Sequence, residues 1–428
     1  MTPPTPSGAL GWLRGSSRAE RQTLLAGGLG WLLDAFDVML YSMVLAHLLA
    51  HFEMSKESAG LLGSLTLAAS AIGGGAFGYI ADRVGRRRAL MASILVYSLA
   101  SGACGFAQSI FQLGLFRFLL GLGMGGEWTT GATLVAESWR AEHRGKALAL
   151  MQSSWAIGEG LAAVVAGALL GLGSLHLAGA EVPAWRAVFL AGVLPALVVF
   201  WIRRGVPESE VWQRHQKRTE AGAAQAPRLA GLWAPGLRGK VVVATLMNTA
   251  TLFGYWGLFF WIPPFLALDP AEGGRGLTIT QTTLWLVVMG VGKWFGYVLF
   301  GYGADALGRL RTYIAYLVAA AALVPLFASL ESPTALLVVG PLVAFFGTGY
   351  FSGFGAIASE LFPTEIRGTA MGLTYNLGRA VSAFAPFLTG ALAVQYGLSG
   401  AFWLTSAAFL VAALLACLLP ETKGRILT

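Results

Sequence analysis

Seven ionisable side chains stand inside long apolar stretches of this 428-residue chain: the acids Asp34, Asp37, Glu127 and Glu159, and the bases Arg117, Lys293 and Arg379. In hydrocarbon each costs at least ~2.5–3.5 kcal/mol, so each needs a partner or a task. Their distribution is uneven. All four acids precede residue 160, whereas the apolar stretches of the second half hold two bases and no acid. Lys293 and Arg379 must therefore face acids across the middle of the molecule or face an anionic ligand, and both options put them on a substrate path. Asp34, Asp37 and Tyr41, at i, i+3 and i+7, share one helix face. Two neighbouring carboxylates in a low-dielectric site do not both ionise cheaply, so one is expected to carry an exchangeable proton. The bland alternative is that one Asp is neutralised by Arg117 or hydrogen-bonded to Tyr41. Glu159 and Glu127 join the candidate proton-coupling set. Glu127 is either a second proton site or a partner for Arg117, but ten residues span about 15 Å of helix, too far for a direct bond.

Further polar stripes flank these charges. Gln152, Trp155 and Glu159 share a face, as do Tyr375, Asn376 and Arg379, then Met289, Lys293 and Tyr297, and Asn248, Thr251 and Tyr255. A planar guanidinium fork among amide and phenol donors suits a carboxylate. The expected substrate-binding set is Arg117, Lys293, Arg379, Asn376, Tyr375, Gln152, Trp155, Tyr255 and Tyr41. Taken singly, Trp155, Met289 or Tyr297 reads as helix packing; the cations do not, because lipid offers them no neutral home. His47 and His51 have a chelating spacing, but no third ligand accompanies them and no metal site is expected. The five histidines form no cluster with a nucleophile, which speaks against a membrane-embedded enzyme. Cys104 and Cys417 lie in apolar stretches without disulfide or zinc spacing and read as small core residues.

The elements that must carry these groups are transmembrane helices. Apolar residues make up 56% of the chain and charged ones 12%, against about 25% charged in soluble domains, and mean hydropathy is +0.66. That excludes a soluble enzyme, a nucleic-acid reader and a disordered scaffold. The 57 glycines fit closely packed membrane helices. Twelve stretches are long enough to span about 30 Å of hydrocarbon as helices: 23–50, 58–81, 89–108, 110–134, 146–172, 185–203, 241–266, 281–303, 312–330, 334–357, 368–394 and 399–419. The first is too long for a signal peptide. With the N-terminus inside, 23 of the 29 Lys and Arg fall on cytoplasmic segments and three on outside ones. This bias accounts for the net charge of +8 and predicts both termini in the cytoplasm of an inner-membrane protein. The expected organisation is a disordered cytoplasmic tail, 1–22; a six-helix bundle, 23–204; a charged linker, 205–240, part amphipathic helix; a second six-helix bundle, 241–419; and a cytoplasmic tail, 420–428.

The two bundles repeat one another. Gly78 to Arg88 returns as Gly301 to Arg311, with seven of eleven residues identical at an offset of 223, and the same offset carries Glu137 to Glu360 and Arg144 to Arg367. Same-orientation repeats of six helices are a transporter plan. Gly78 to Arg88 resembles the loop signature of the major facilitator superfamily. Glu137 with Arg144-Gly145, and Glu360 with Arg367-Gly368, resemble its charge-relay pairs, and the stretch from Arg117 to Gly126 resembles its fourth-helix signature. Pro207-Glu208-Ser209 and Pro420-Glu421-Thr422 are similar to the sugar-porter and metabolite:proton symporter branches. Asp34-Ala-Phe-Asp37 with Gly125-Gly126-Glu127-Trp128 looks most like proton-coupled carriers of sialate, monocarboxylates and aromatic acids.

The resemblance implies an all-α membrane protein of twelve helices in two pseudo-symmetric six-helix bundles, with a central site open to one side at a time. Asp82, Arg86, Glu137, Arg144, Asp305, Glu360 and Arg367 are then the expected gating residues, while Arg87 and Arg88 set topology. The function read here is symport of protons with a small organic anion, most simply by a monomer in the lipid bilayer. It draws on a proton gradient and needs no cofactor and no nucleic acid. A neutral sugar, a cationic drug for efflux, or a nutrient sensor without transport are the alternatives.

Overall fold

The computed structural model describes residues 11–177, 180–220, 236–362 and 367–422. Span 1 is the helix Arg18–His51, span 2 Lys56–Val84, span 3 Arg86–Cys104, span 4 Ile110–Ser138 and span 5 Ala141–Leu170. Span 6 is broken into Ala184–Ala191 and Ala196–Gly205, and a linker helix, Glu210–Glu220, follows. In the second half, span 7 is Arg238–Phe259 continued by Ile262–Ala267, span 8 is Ile279–Leu307 and span 9 is Arg309–Ser329. Span 10 is Pro333–Gly349 with Phe351–Leu361. Span 11 begins as Arg367–Ser382 and continues into Ala385–Ala416, where Gly397, at φ 68°, separates it from span 12. Spans 6, 7 and 11 break next to Pro195, Pro263 and Pro386, whose rings cannot continue the hydrogen-bond ladder.

Among the described residues, nine helical stretches are long and apolar enough to cross a bilayer. One of them, Leu373–Ala416, contains two spans. Arg86–Cys104, with three arginines at its start, and Ile110–Ser138, with Arg117 and Glu127 inside it, complete two six-helix halves.

Three expectations change. The first helix starts at Arg18 rather than 23, because Ser17 and Glu20 form a reciprocal capping box that satisfies orphan backbone donors. The stretch 11–22 is thus not a disordered tail: Gly11–Arg14 is also helical, and Trp12 packs edge-on to Trp139 at 5.2 Å. A two-stranded hairpin, Ser174–Leu177 with Ala180–Pro183, joins spans 5 and 6, entered through Gly173 at φ 70°. Cys104 is buried, but Cys417 is exposed at the end of span 12 and is not a core residue.

The duplication is visible in packing. A Cβ on Gly73 would lie 2.0 Å from the Leu122 carbonyl, and one on Gly296 would lie 2.3 Å from the Phe345 carbonyl. Both members of this contact are 223 residues apart, so spans 2 and 4 meet as spans 8 and 10 do, backbone against backbone where only glycine fits. Across the midline, Ser42 Oγ donates to the Phe260 carbonyl, Phe387 N donates to Ser64 Oγ at 3.1 Å, and Lys56 Nζ donates to the Glu272 carbonyl. A Cβ on Gly60 would lie 2.4 Å from the Pro386 carbonyl. These contacts close the halves together on the side away from the chain ends.

Candidate functional site

The centre of the molecule is a four-residue cluster drawn equally from both halves. Glu159 Oε1 accepts from Trp155 Nε1 at 2.8 Å and from Tyr255 OH at 2.8 Å, and Trp155 Nε1 also lies 2.9 Å from Tyr255 OH. Glu159 Oε2 takes the Lys293 ammonium. Lys293 further rests 3.9 Å from the centre of the Phe259 ring. Both charges are buried, Lys293 being 5% exposed. Helical spacing explains the alignment: Trp155 and Glu159 are one turn apart on span 5, as Tyr255 and Phe259 are on span 7. Lys293 thus meets an acid across the midline, the first of the two options open to it.

Arg379 makes no such bond. It is 3% exposed, and its guanidinium has no hydrogen bond or ion pair among the described residues. It lines a cavity of about 360 Å³ whose walls include Trp31, Trp155, Tyr255, Tyr297 and Tyr375, with Gln152 as an amide. Trp31 packs on Trp155 at 4.6 Å, and Tyr375 stacks on Trp128 at 4.7 Å with an interplanar angle of 18°, joining spans 4 and 11 across the midline. Trp128 Nε1 donates to Gln152 Oε1 at 3.4 Å. A second cavity, about 340 Å³, lies on the other side of the cluster and is lined by Met39, Met43, Glu159, Ile262, Met289 and Lys293, among others. Because Trp31 lies nearer the start of span 1 than Met39 and Met43, the first is called here the near cavity and the second the far cavity.

The remaining acids lie inside the first half. The carboxylates of Asp34 and Glu127 are buried with no hydrogen-bond partner among the described residues, and Arg379 acts electrostatically on both. Glu127 packs directly against Gly30, where a Cβ would lie 2.2 Å from Glu127 Oε1. Asp37 Oδ1 accepts from Ser101 Oγ at 3.1 Å. Neither bland fate of the Asp pair is realised. Tyr41 OH donates to the Ala59 carbonyl at 3.0 Å, and Arg117 lies over the Tyr41 ring at 3.9 Å.

Several expected binding residues sit elsewhere. Arg117 and Tyr41 line neither cavity; they stack on one another within the first half, toward the far end of span 1. Asn376 faces span 2, its Oδ1 3.3 Å from a Cβ position on Gly74. Asn248 Nδ2 donates to the backbone carbonyls of Thr374 and Tyr375, and Thr251 pairs with Tyr313, so both serve helix packing. His51 packs against Trp185, and no metal-holding group of acids, histidines and cysteines occurs among the described residues. Trp31, Phe259 and Ser101 carry neither a charge nor a motif, and Trp128 belongs to the Gly125–Trp128 motif without an expected binding role. Trp31 was detectable as the aromatic one turn before Asp34.

At the end carrying the termini, Arg86 binds Glu137 at 3.1 Å and its repeat partner Arg309 meets Glu360 at 3.5 Å. Glu208 and Glu421, from the two Pro-Glu motifs, cap helix starts. Glu208 Oε1 accepts from Arg87 N at 3.1 Å, and Glu421 Oε1 accepts from Arg309 N at 2.8 Å. A carboxylate is stabilised at such a helix N-terminus by unspent N–H groups and the aligned peptide dipoles. Gly85 and Gly308, at φ 107° and 117°, start those helices in a backbone region open essentially to glycine alone. Arg87 is more than a topological charge: its Nη1 donates to the Val206 carbonyl at 3.1 Å. The side chains of Asp82, Arg144, Asp305 and Arg367 lie outside the described residues.

Two six-helix halves around buried cross-midline charges and two small cavities define a membrane carrier. The chain belongs to the Major Facilitator Superfamily, whose description matches residues 28–271 and 270–426. It is 34% identical to the probable 4-methylmuconolactone transporter of Cupriavidus pinatubonensis over 96% of this chain and 93% of that one. It is 33% identical to the cis,cis-muconate transport protein of Acinetobacter baylyi, covering 92% and 93%, and 29% identical to a sialic acid transporter of Escherichia coli, covering 94% of each. Its fold matches the xylose transporter of Escherichia coli, solved in a partially occluded inward-open conformation, with a TM-score of 0.75 at 19% identity over 96% of this chain and 100% of that one.

Proposed function

We propose that the protein couples protons to the transport of a small organic anion whose carboxylate is held by Arg379 in the near cavity. The supporting observation is the buried Arg379 guanidinium, unpartnered among the described residues, in an aromatic-walled cavity. A guanidinium fork matches a carboxylate with two parallel hydrogen bonds, and Trp31, Trp155 and Tyr375 offer faces to a flat or unsaturated body. The relatives named for muconate and sialic acid transport also point to acids. Arg379 and the Asp34/Glu127 pair act on one another across the midline, so loading the anion weakens the hold of Arg379 on those acids and favours a proton on one of them. The loaded, protonated centre is closer to neutral, and the halves close over it more readily than over unbalanced charges. Asp37, bonded to Ser101, is a second station for the proton. Both termini are assigned to the cytoplasmic side of the inner membrane on the Lys and Arg bias.

Uptake into proteoliposomes with an imposed pH gradient tests this reading. Labelled-substrate uptake is competed by benzoate and nicotinate and left unchanged by amines and sugars, and Asp34→Asn abolishes accumulation against a gradient while exchange continues. Uptake competed by amines or sugars instead removes the anion assignment. Undiminished accumulation by the Asn variant removes the role given to Asp34.

A further inference from the structure

Arg379 serves the near cavity; the far cavity holds the other buried cation. Its walls combine Lys293 and Glu159 with Met39, Met43, Phe259 and Met289, giving one charge pair in an otherwise apolar chamber. Glu159 is held by three donors, Trp155 and Tyr255 on one oxygen and Lys293 on the other. Lys293, with three N–H donors, has Glu159 as its one hydrogen-bond partner among the described residues and aromatic faces around the rest. A carboxylate entering this chamber can therefore take Lys293 while Glu159 keeps its bonds to Trp155 and Tyr255. The exchange matters because Lys293–Glu159 is the one ion pair between the halves among the described residues.

We propose that the far cavity is a second carboxylate site, in which the ligand's carboxylate displaces Glu159 from Lys293 and its apolar body lies against Met39, Met43, Met289 and Phe259. Unbranched thioether side chains re-pack around differently shaped apolar groups, so the site takes a ring or a short chain. Occupying it removes the charged tie between the halves, which links arrival of the anion on this side to their separation. The proposal rests on the anion-carrier reading above and assigns it a second station.

The test uses the full chain in proteoliposomes, with Cys417→Ser as background, which leaves the buried Cys104, and one added reporter cysteine replacing Leu286, which lines the far cavity, or Leu252, which lines the near one. Labelling by N-ethylmaleimide is followed with benzoate or nicotinate present. Both acids are expected to slow labelling at both positions. Lys293→Met is expected to abolish protection at 286 and keep it at 252. Glu159→Gln, which removes the competitor and keeps the side-chain shape, is expected to lower the acid concentration protecting 286 by about tenfold or more. Protection at 252 with none at 286, or no fall in that concentration in the Gln variant, overturns the second site and leaves the near site standing. Protection at neither position overturns both.

Discussion

Arg86 and Arg309 stand at matching places in the two halves, and each reaches the acid of its own half, Glu137 at 3.1 Å and Glu360 at 3.5 Å. Around them the copies diverge. Ser209 Oγ completes the first latch by donating to Glu137 Oε2, whereas in the second half Thr422 Oγ1 and Glu360 Oε2 are buried without a partner among the described residues. At the midline the halves do not copy one another at all; they complement. The first supplies Glu159, Asp34 and Glu127, the second Lys293 and Arg379. Duplication preserved what each bundle needs to hold its own end together. Charge was divided where the bundles face each other, because a buried cation is tolerable there only opposite an acid or an anion.

The largest effect is expected at the cross-midline tie: Lys293→Met leaves Glu159 buried against two neutral donors and lowers stability by about 3–5 kcal/mol, whereas Lys293→Met with Glu159→Leu recovers most of the loss. Thermal unfolding of the purified variants measures it, and equal loss in single and double variants would deny the pair its role. Arg379→Gln removes the proposed anion fork and is expected to reduce uptake kcat/KM by about 30-fold or more, equivalent to roughly 2 kcal/mol or more, as measured in the proteoliposome assay. Next come the paired glycines. Gly85→Ala and Gly308→Ala force alanine into a glycine-only region, with Cβ positions 2.3 and 2.6 Å from the Glu208 and Glu421 carboxylates, and each should cost about 1–3 kcal/mol. A large effect at one and none at the other would show that the caps are not equivalent. The smallest effect sharpens the asymmetry: Ser209→Ala should lose about 1.5 kcal/mol with its bond to a carboxylate, while Thr422→Ala, which breaks no hydrogen bond among the described residues, should lose less than that.

Much of this arrangement follows from composition and spacing. Twelve helical spans and the need of each buried charge for a partner are consequences of what hydrocarbon permits, since a chain this apolar has few ways to satisfy its backbone and fewer to keep a charge; the repeat at 223 positions and the confinement of the four buried acids to the first half are read directly from the residues. Helical periodicity also places Trp155 with Glu159 and Tyr375 with Arg379 on common faces. Periodicity assigns a face, but not the direction in which that face is turned, nor the depth at which a neighbour meets it. Those were decided by packing. Lys293 and Arg379 are both lone cations in the second half; one meets Glu159 and the other an aromatic-walled cavity, because span 5 approaches span 8 closely enough to bring an acid to the first. Arg117 and Tyr41 share the chemistry of binding residues yet stack inside the first half, since the rotation of spans 1 and 4 turns them toward each other. Glu208 and Glu421 find their helix ends only once six helices have folded back to bring them there.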